Sequence, residues 1–145
     1  MKKFKSKVLN SQEQSSFNTL TDREKLIYLA GVFEGEGSIS GHWPIRNGVR
    51  ATRAWALEIA VEMSDEDSVL RFKDFFKLGS LSSRKRKDSN LTTDKIAKDY
   101  YKRTWTWKAT TAQAYSVLLQ LRPFFSKRRI EQYNRCCQLY KQSRL

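Results

Sequence analysis

The chain has 145 residues with 28 Lys or Arg against 15 Asp or Glu, a formal net charge of +13. That length holds one ordinary core and excludes a second full domain, while 39% hydrophobic and 12% aromatic residues exclude wholesale disorder. No apolar run reaches the ~18 residues of a membrane span, and adjacent Cys136 and Cys137 with the lone His42 cannot assemble a structural zinc set.

Residues 1–20 read as a basic, Ser- and Gln-rich, weakly ordered arm, leaving 21–145 as a single folded domain. The arm opens Met1-Lys2-Lys3-Phe4-Lys5 without the apolar core of a secretion signal, so a reducing intracellular compartment is expected, not secretion. Thr21-Asp22-Arg23-Glu24 reads as a capping box that starts a helix carried by Leu26, Leu29, Ala30 and Phe33 and ended by Gly35 and Gly37. The period then falls to two. Ile39, Trp43 and Ile45 alternate with Ser38, Ser40 and His42, and Leu57, Ile59 and Val61 alternate on the return, which predicts a hairpin around Asn47-Gly48. A two-residue turn would set the two apolar faces on opposite sides, so a three-residue loop, Arg46-Asn47-Gly48, is expected.

Ser64 ahead of Asp65, Glu66 and Asp67 reads as the cap of a second helix, carried by Val69, Phe72, Phe75 and Phe76 and closed at Gly79. Two further strands are expected near 80–85 and 102–109, joined by the basic run Arg84-Lys85-Arg86-Lys87 and a polar insertion near 88–101. A helix over 112–121 is broken by Pro123. The last helix, near 124–140, has Ile130, Tyr133, Cys137 and Tyr140 on one side.

Charge is unevenly placed along this order. Residues 26–83 carry eight acids against six bases, whereas residues 84–108 carry three against nine. Net positive charge with interleaved aromatics favours a nucleic-acid partner, since neutralising phosphates releases counterions. On the polar parity of the first hairpin lie Ser38, Ser40, His42, Arg46, Arg50 and Thr52. Arg84, Arg86, Lys102, Thr104, Thr106 and Lys108 join them from the second. Arg, Thr, Ser and His at such positions read base edges, and Lys more often binds phosphate. Trp43, Trp55, Trp105 and Trp107 read as the floor beneath that sheet.

The acids of the first helix need a separate account. Glu34 and Glu36 flank Gly35 at the negative end of a helix dipole, where each carboxylate costs roughly 0.3–1 kcal/mol. A hard divalent cation would remove the conflict, and solvent beyond a frayed helix end would also relieve it. Gly31 and Gly35, four apart and next to Ala30, would let a partner helix approach closely, which makes Ala30, Gly31 and Gly35 the expected interface.

The stretch Leu29-Ala30-Gly31-Val32-Phe33-Glu34-Gly35-Glu36-Gly37 resembles the signature of the LAGLIDADG homing endonucleases. It matches at Leu-Ala-Gly and at the final acid-Gly, with Glu for Asp at both acidic positions. The resemblance covers about residues 21–140. It implies an α+β fold with an αββαββα(α) core and a four-stranded antiparallel, saddle-shaped sheet for DNA. It also implies a site-specific endodeoxyribonuclease using Mg²⁺ or Mn²⁺. A single signature copy implies a homodimer that cuts both strands of a long pseudo-palindromic target, with double-stranded DNA and a second copy as partners and neither a membrane nor a small-molecule substrate. The compartment implied is a bacterial or phage-infected cytoplasm or an organelle.

Residue by residue, the resemblance makes Glu36 the catalytic metal ligand, Gly35 a backbone-carbonyl ligand and Glu34 a supporting acid. Counting from Pro123, Arg128 with Lys127 takes the place of the family's phosphate-reaching Lys. Met63 stands where the family often has a polar, water-organising residue, which leaves Glu62, Ser64 or solvent for that role. A non-cleaving DNA-binding regulator or an RNA-splicing maturase on the same fold is the alternative. A basic RNA- or ribosome-associated protein would leave the acid and glycine arrangement unexplained.

Overall fold

The computed structural model describes residues 16–50, 54–87 and 101–144. Within the segment expected as an arm, residues 16–18 form a helical turn whose Phe17 ring packs edge-on against Tyr28. Helix α1 (Asp22–Glu36) starts at the predicted capping box: Thr21 Oγ1 accepts from the Glu24 N–H at 3.2 Å, and Glu24 Oε1 accepts from the Thr21 N–H at 2.9 Å. Gly35 lies inside this helix rather than ending it. Gly37 is the C-cap, donating its N–H to Phe33 O, and a Cβ at that position would sit 2.6 Å from the Phe33 ring.

From Gly37 the chain enters β1 (Gly37–His42), then β2 (Ile45–Arg46), β3 (Val49–Arg50) and β4 (Ala56–Met63). After α2 (Glu66–Phe76) come β5 (Ser80–Lys87) and β6 (Tyr101–Thr110), which complete an antiparallel four-stranded sheet in the order β1-β4-β6-β5. Helix α3 (Thr111–Leu121), a 3₁₀ turn (Arg122–Phe124) holding Pro123, and α4 (Lys127–Gln142) close the chain. This is the expected α+β architecture. The last helix starts at Lys127 rather than near Phe124 because Ser126 caps it, accepting from the Arg129 N–H. Helix α2 is capped by Asp65 rather than Ser64, and it ends at Lys77, whose φ of 58° is left-handed, two residues before Gly79. The expected insertion falls on residues 88–100, outside the described ones.

The first hairpin corrects the predicted loop. Arg46 pairs with Val49, so the turn is the two residues Asn47 and Gly48, with φ of 53° and 77° as a tight type I′ hairpin turn requires. The two apolar faces still coincide, because the ribbon is two ladders and not one. Ile45 pairs with Arg50 in the tip, while His42 pairs with Ala56 in the main sheet. Between them lie residues 43–44 on one side and 51–55 on the other. That odd difference restores the parity the turn would have reversed. Pro44 sits in the gap, where a missing backbone donor costs no ladder bond.

One face of the sheet carries Ile39, Leu57, Ile59, Val61, Trp107 and Ala109, all buried against Leu29, Ala30 and Phe33 of α1, Val69 and Phe72 of α2, Val117, Leu118 and Leu121 of α3, and Tyr133 of α4. Trp107 is fully buried between the rings of Phe72 and Phe76, and its Nε1–H donates to Leu78 O at 3.0 Å. Each such side chain contributes about 1.5–3 kcal/mol by leaving water. Trp107 is thus floor, Trp55 and Trp105 pack partly buried against the core, and Trp43 lies edge-on against Trp55. Among the described residues, helices α1–α4 pack on this face and none covers the other side of the sheet.

Candidate functional site

Strand alternation places Ser38, Ser40 and His42 of β1 opposite Ala60, Glu58 and Ala56 of β4 on the uncovered face. Across β4, Glu62, Ala60 and Glu58 lie opposite Thr106, Lys108 and Thr110 of β6, and Ser82 and Arg84 of β5 lie opposite Thr106 and Thr104. The register pairs Arg86 with Lys102. Seven of the predicted contact residues therefore share one surface: Ser38, Ser40, His42, Arg84, Thr104, Thr106 and Lys108. Thr52 lies outside the described residues. Arg46 pairs with Val49 and Arg50 with Ile45 in a two-stranded ribbon separate from the main sheet.

Glu36 is exposed at the last position of α1 and opens into a hollow of about 520 Å³ with Ser38, Glu58, Ala60, Glu62, Ser82, Arg84, Thr106 and Lys108. Of the two further carboxylates there, Glu62 was expected only as a stand-in for a water-organising group at Met63, and Glu58 was not named from the sequence. Glu62 accepts from Arg84 Nη2 at 3.1 and 3.2 Å and from Thr106 Oγ1 at 3.1 Å, and Glu58 pairs with Lys108 Nζ at 3.3 Å. Both occupy the polar parity of Ala56–Met63, so the alternation already marked them. The hollow thus holds three carboxylates and two cations inside a strongly basic chain. That local excess of negative charge opposes a phosphate unless a further cation accompanies it.

The neighbouring acid has a different fate. Glu34 does not share the hollow: its Oε1 accepts the Ser126 N–H at 2.6 Å and its Oε2 accepts from Arg129 Nε at 3.3 Å. Burial pushes its pKa up, but the Ser126 hydrogen bonds and Arg129 outweigh that and hold the carboxyl below its usual range. Glu34 thus meets the positive start of helix α4 and balances a buried guanidinium, so any support it gives Glu36 is indirect. Arg129, 4% exposed, was not singled out from the sequence. Its place in a spacing of four with Tyr133 and then Cys137, the other buried residues of α4, is the signal that marks it as inward-facing. Lys127 and Arg128, its neighbours, are exposed and do not line the hollow of Glu36; the cations that do are Arg84 and Lys108.

The expected interface divides in the same way. Ala30 is 1% exposed and belongs to the chain's own core, so it is unavailable to a partner: consecutive helical residues point about 100° apart. Gly31 and Gly35 are exposed with nothing within 4 Å of a Cβ built on either, and Ile27 and Tyr28 are exposed on the same helix at 44% and 37%. Met63 packs against the core and supplies no polar group.

The donors a hard cation would find here are oxygens: the Glu36 carboxylate and the Gly35 carbonyl beside it. Among the described residues no three His, Cys, Asp or Glu converge on a metal position. That donor set fits Mg²⁺, which takes one or two carboxylates and completes its shell with water and substrate phosphate, and does not fit structural zinc.

No family model matches the chain, and no curated protein matches it. Solved structures do. The homing endonuclease I-CvuI, in complex with its target in the presence of calcium, superposes with a TM-score of 0.57 at 17% identity, over 83% of this chain and 68% of that one. I-CeuI, a group I intron-encoded homing endonuclease complexed with DNA, gives 0.57 at 16% identity, over 89% of this chain and 61% of its own. The homing endonuclease I-TnaI gives 0.51 at 13%, over 79% and 68%. The match therefore spans roughly two thirds of those chains' length, and the chain has the homing-endonuclease fold. No helix among the described residues is long and apolar enough to cross a membrane.

Proposed function

We propose that this chain is a LAGLIDADG homing endonuclease: a homodimer that binds a long pseudo-palindromic duplex on the uncovered face of its sheet and cuts both strands with Mg²⁺. The observation that carries this reading is the placement of Glu36. The helix of the signature delivers one exposed carboxylate into a polar hollow on the open face of the sheet, in a fold whose similar structures I-CvuI and I-CeuI are DNA complexes. Glu36 and the Gly35 carbonyl would hold the cation, which supplies Lewis-acid stabilisation of the phosphate and a more acidic water. Arg84 and Lys108 stand in the same hollow, and as donors they stabilise charge that develops on phosphate oxygens. Ser38, Ser40, His42 and Thr106 face the groove as base or backbone contacts. Gly31 and Gly35 form the helix contact between protomers, where their bare backbone permits close approach.

The decisive experiment is selection of cleavable sites from a randomised duplex library with Mg²⁺. A long, near-symmetric site cut on both strands supports the reading. Retention of a specific site without cleavage at any divalent cation concentration overturns it. That second outcome belongs to a non-cleaving regulator or maturase on this fold, a reading favoured by one observation: Met63 packs into the core at the strand-to-helix junction and offers no water-organising group.

A further inference from the structure

We propose that Arg129, with Glu34, is a positioning residue for the metal-holding end of α1. This rests on the reading of Glu36 and Gly35 as metal ligands. A helix ends in carbonyls that have no partner within it. Here Arg129 Nη2 donates to Glu34 O at 2.8 Å in that last turn, and also to Phe33 O at 3.2 Å, which the Gly37 N–H already reaches. The same guanidinium donates through Nε to Glu34 Oε2 at 3.3 Å and through Nη1 to Gln132 Oε1 at 2.7 Å. Gln132 Nε2 in turn donates to Ile39 O in β1 at 3.2 Å. The chain is therefore held at Glu34, just before Gly35 and Glu36, and again at Ile39, just after them. Two ligand positions lie between two fixed points.

Charge makes the second part of the argument. Arg129 is 4% exposed, so its cation sits in low dielectric beside the end of α1. Unbalanced, it would repel a divalent cation at Gly35 and Glu36. Glu34 balances it locally and is itself satisfied by the Ser126 N–H at 2.6 Å, at the positive start of α4. The first acid of the signature thus makes the site tolerant of a cation without binding one. The two residues act differently: Arg129 fixes geometry, and Glu34 cancels charge.

The test uses the full chain and Mn²⁺ as the probe, following paramagnetic broadening of the Gly35, Glu36 and Gly37 backbone amides. In the wild-type chain broadening should saturate with added Mn²⁺, and Glu36→Gln should abolish it. Glu34→Gln keeps an oxygen for the Ser126 N–H while removing the balancing charge, and should raise the Mn²⁺ midpoint about 10-fold or more. Arg129→Lys keeps the charge but loses the forked donor set, and should raise the midpoint by a similar factor. Ser126→Ala, which removes only the hydroxyl cap of α4, should lower thermal stability with the midpoint unmoved. Should Arg129→Lys fail to fold, Glu34→Gln carries the test alone. No broadening in the wild-type chain overturns the metal reading and this proposal together. Saturable wild-type broadening with unchanged midpoints in Glu34→Gln and Arg129→Lys overturns the positioning role alone.

Discussion

Glu34 and Glu36 are the same residue type two positions apart, yet one is engaged by Ser126 and Arg129 and the other opens into the hollow. Their spacing on a helix decides this, since residues two apart point to different sides. Glu36→Gln should leave thermal stability and duplex binding intact while abolishing Mg²⁺-dependent cleavage, measured by mobility shift and strand-scission assays on one selected site; undiminished double-strand cutting would return Glu36 to the solvent. Glu34 should show itself in acid. Its folded-state pKa lies below the ordinary 4.5, so its stabilisation is complete above the unfolded carboxylate range and is lost as pH falls through the folded value. Thermal midpoints followed from pH 7 to about pH 3 should therefore fall less in Glu34→Gln than in the wild-type chain. Cys137 is the opposite case. Burial, then the neighbouring Cys136, pushes its thiol up to about 12, so at pH 8 it should resist iodoacetamide until the chain is unfolded.

Helix α1 and its C-cap carry two glycines, Gly31 and Gly37, whose substitutions should have opposite effects. Gly31→Ala meets open space and replaces a poor helix former, so it should stabilise the monomer by about 0.5–1 kcal/mol. The added methyl should nevertheless weaken the dimer in sedimentation, and an unchanged association constant would place the interface elsewhere. Gly37→Ala drives a methyl into the Phe33 ring and backbone and should cost about 1–3 kcal/mol in chemical unfolding. The elements themselves were legible because their signals are local: the capping box at Thr21, the switch of period after Gly37, and Pro123. What was not legible is non-local. Nothing in the spacing of Glu34 announces Arg129, 95 positions later. The triplet Lys127-Arg128-Arg129 shows three cations, and only the phase set by Tyr133 and Cys137 shows which one turns inward.

At the scale of the whole molecule, helices α1–α4 of the described residues lie on one side of the sheet, and the polar residues of its other side are left open. The net charge of +13 and the cations of that face predict duplex affinity that falls steeply and linearly as log K against log salt concentration. A flat response would remove phosphate contact from the account. Alternation in the strands was enough to gather Ser38, Ser40, His42, Arg84, Thr104, Thr106 and Lys108 on one surface, because period two leaves no freedom once the apolar face is buried. At Arg46 and Arg50 the ladder is interrupted, and alternation does not carry across the gap.

That interruption also insulates the tip. Residues 45–50 pair only with one another, and the three-residue slip on either side of Pro44 separates their register from that of β1 and β4. Sequence drift at the tip, or replacement of its turn by one of another length, need not propagate into the strands that carry Ile39, Leu57 and Ile59. A protein of this build can accept change at residues 45–50 while its folding information stays elsewhere, which makes the tip the part of the sheet that evolution and design can vary at least cost to the fold.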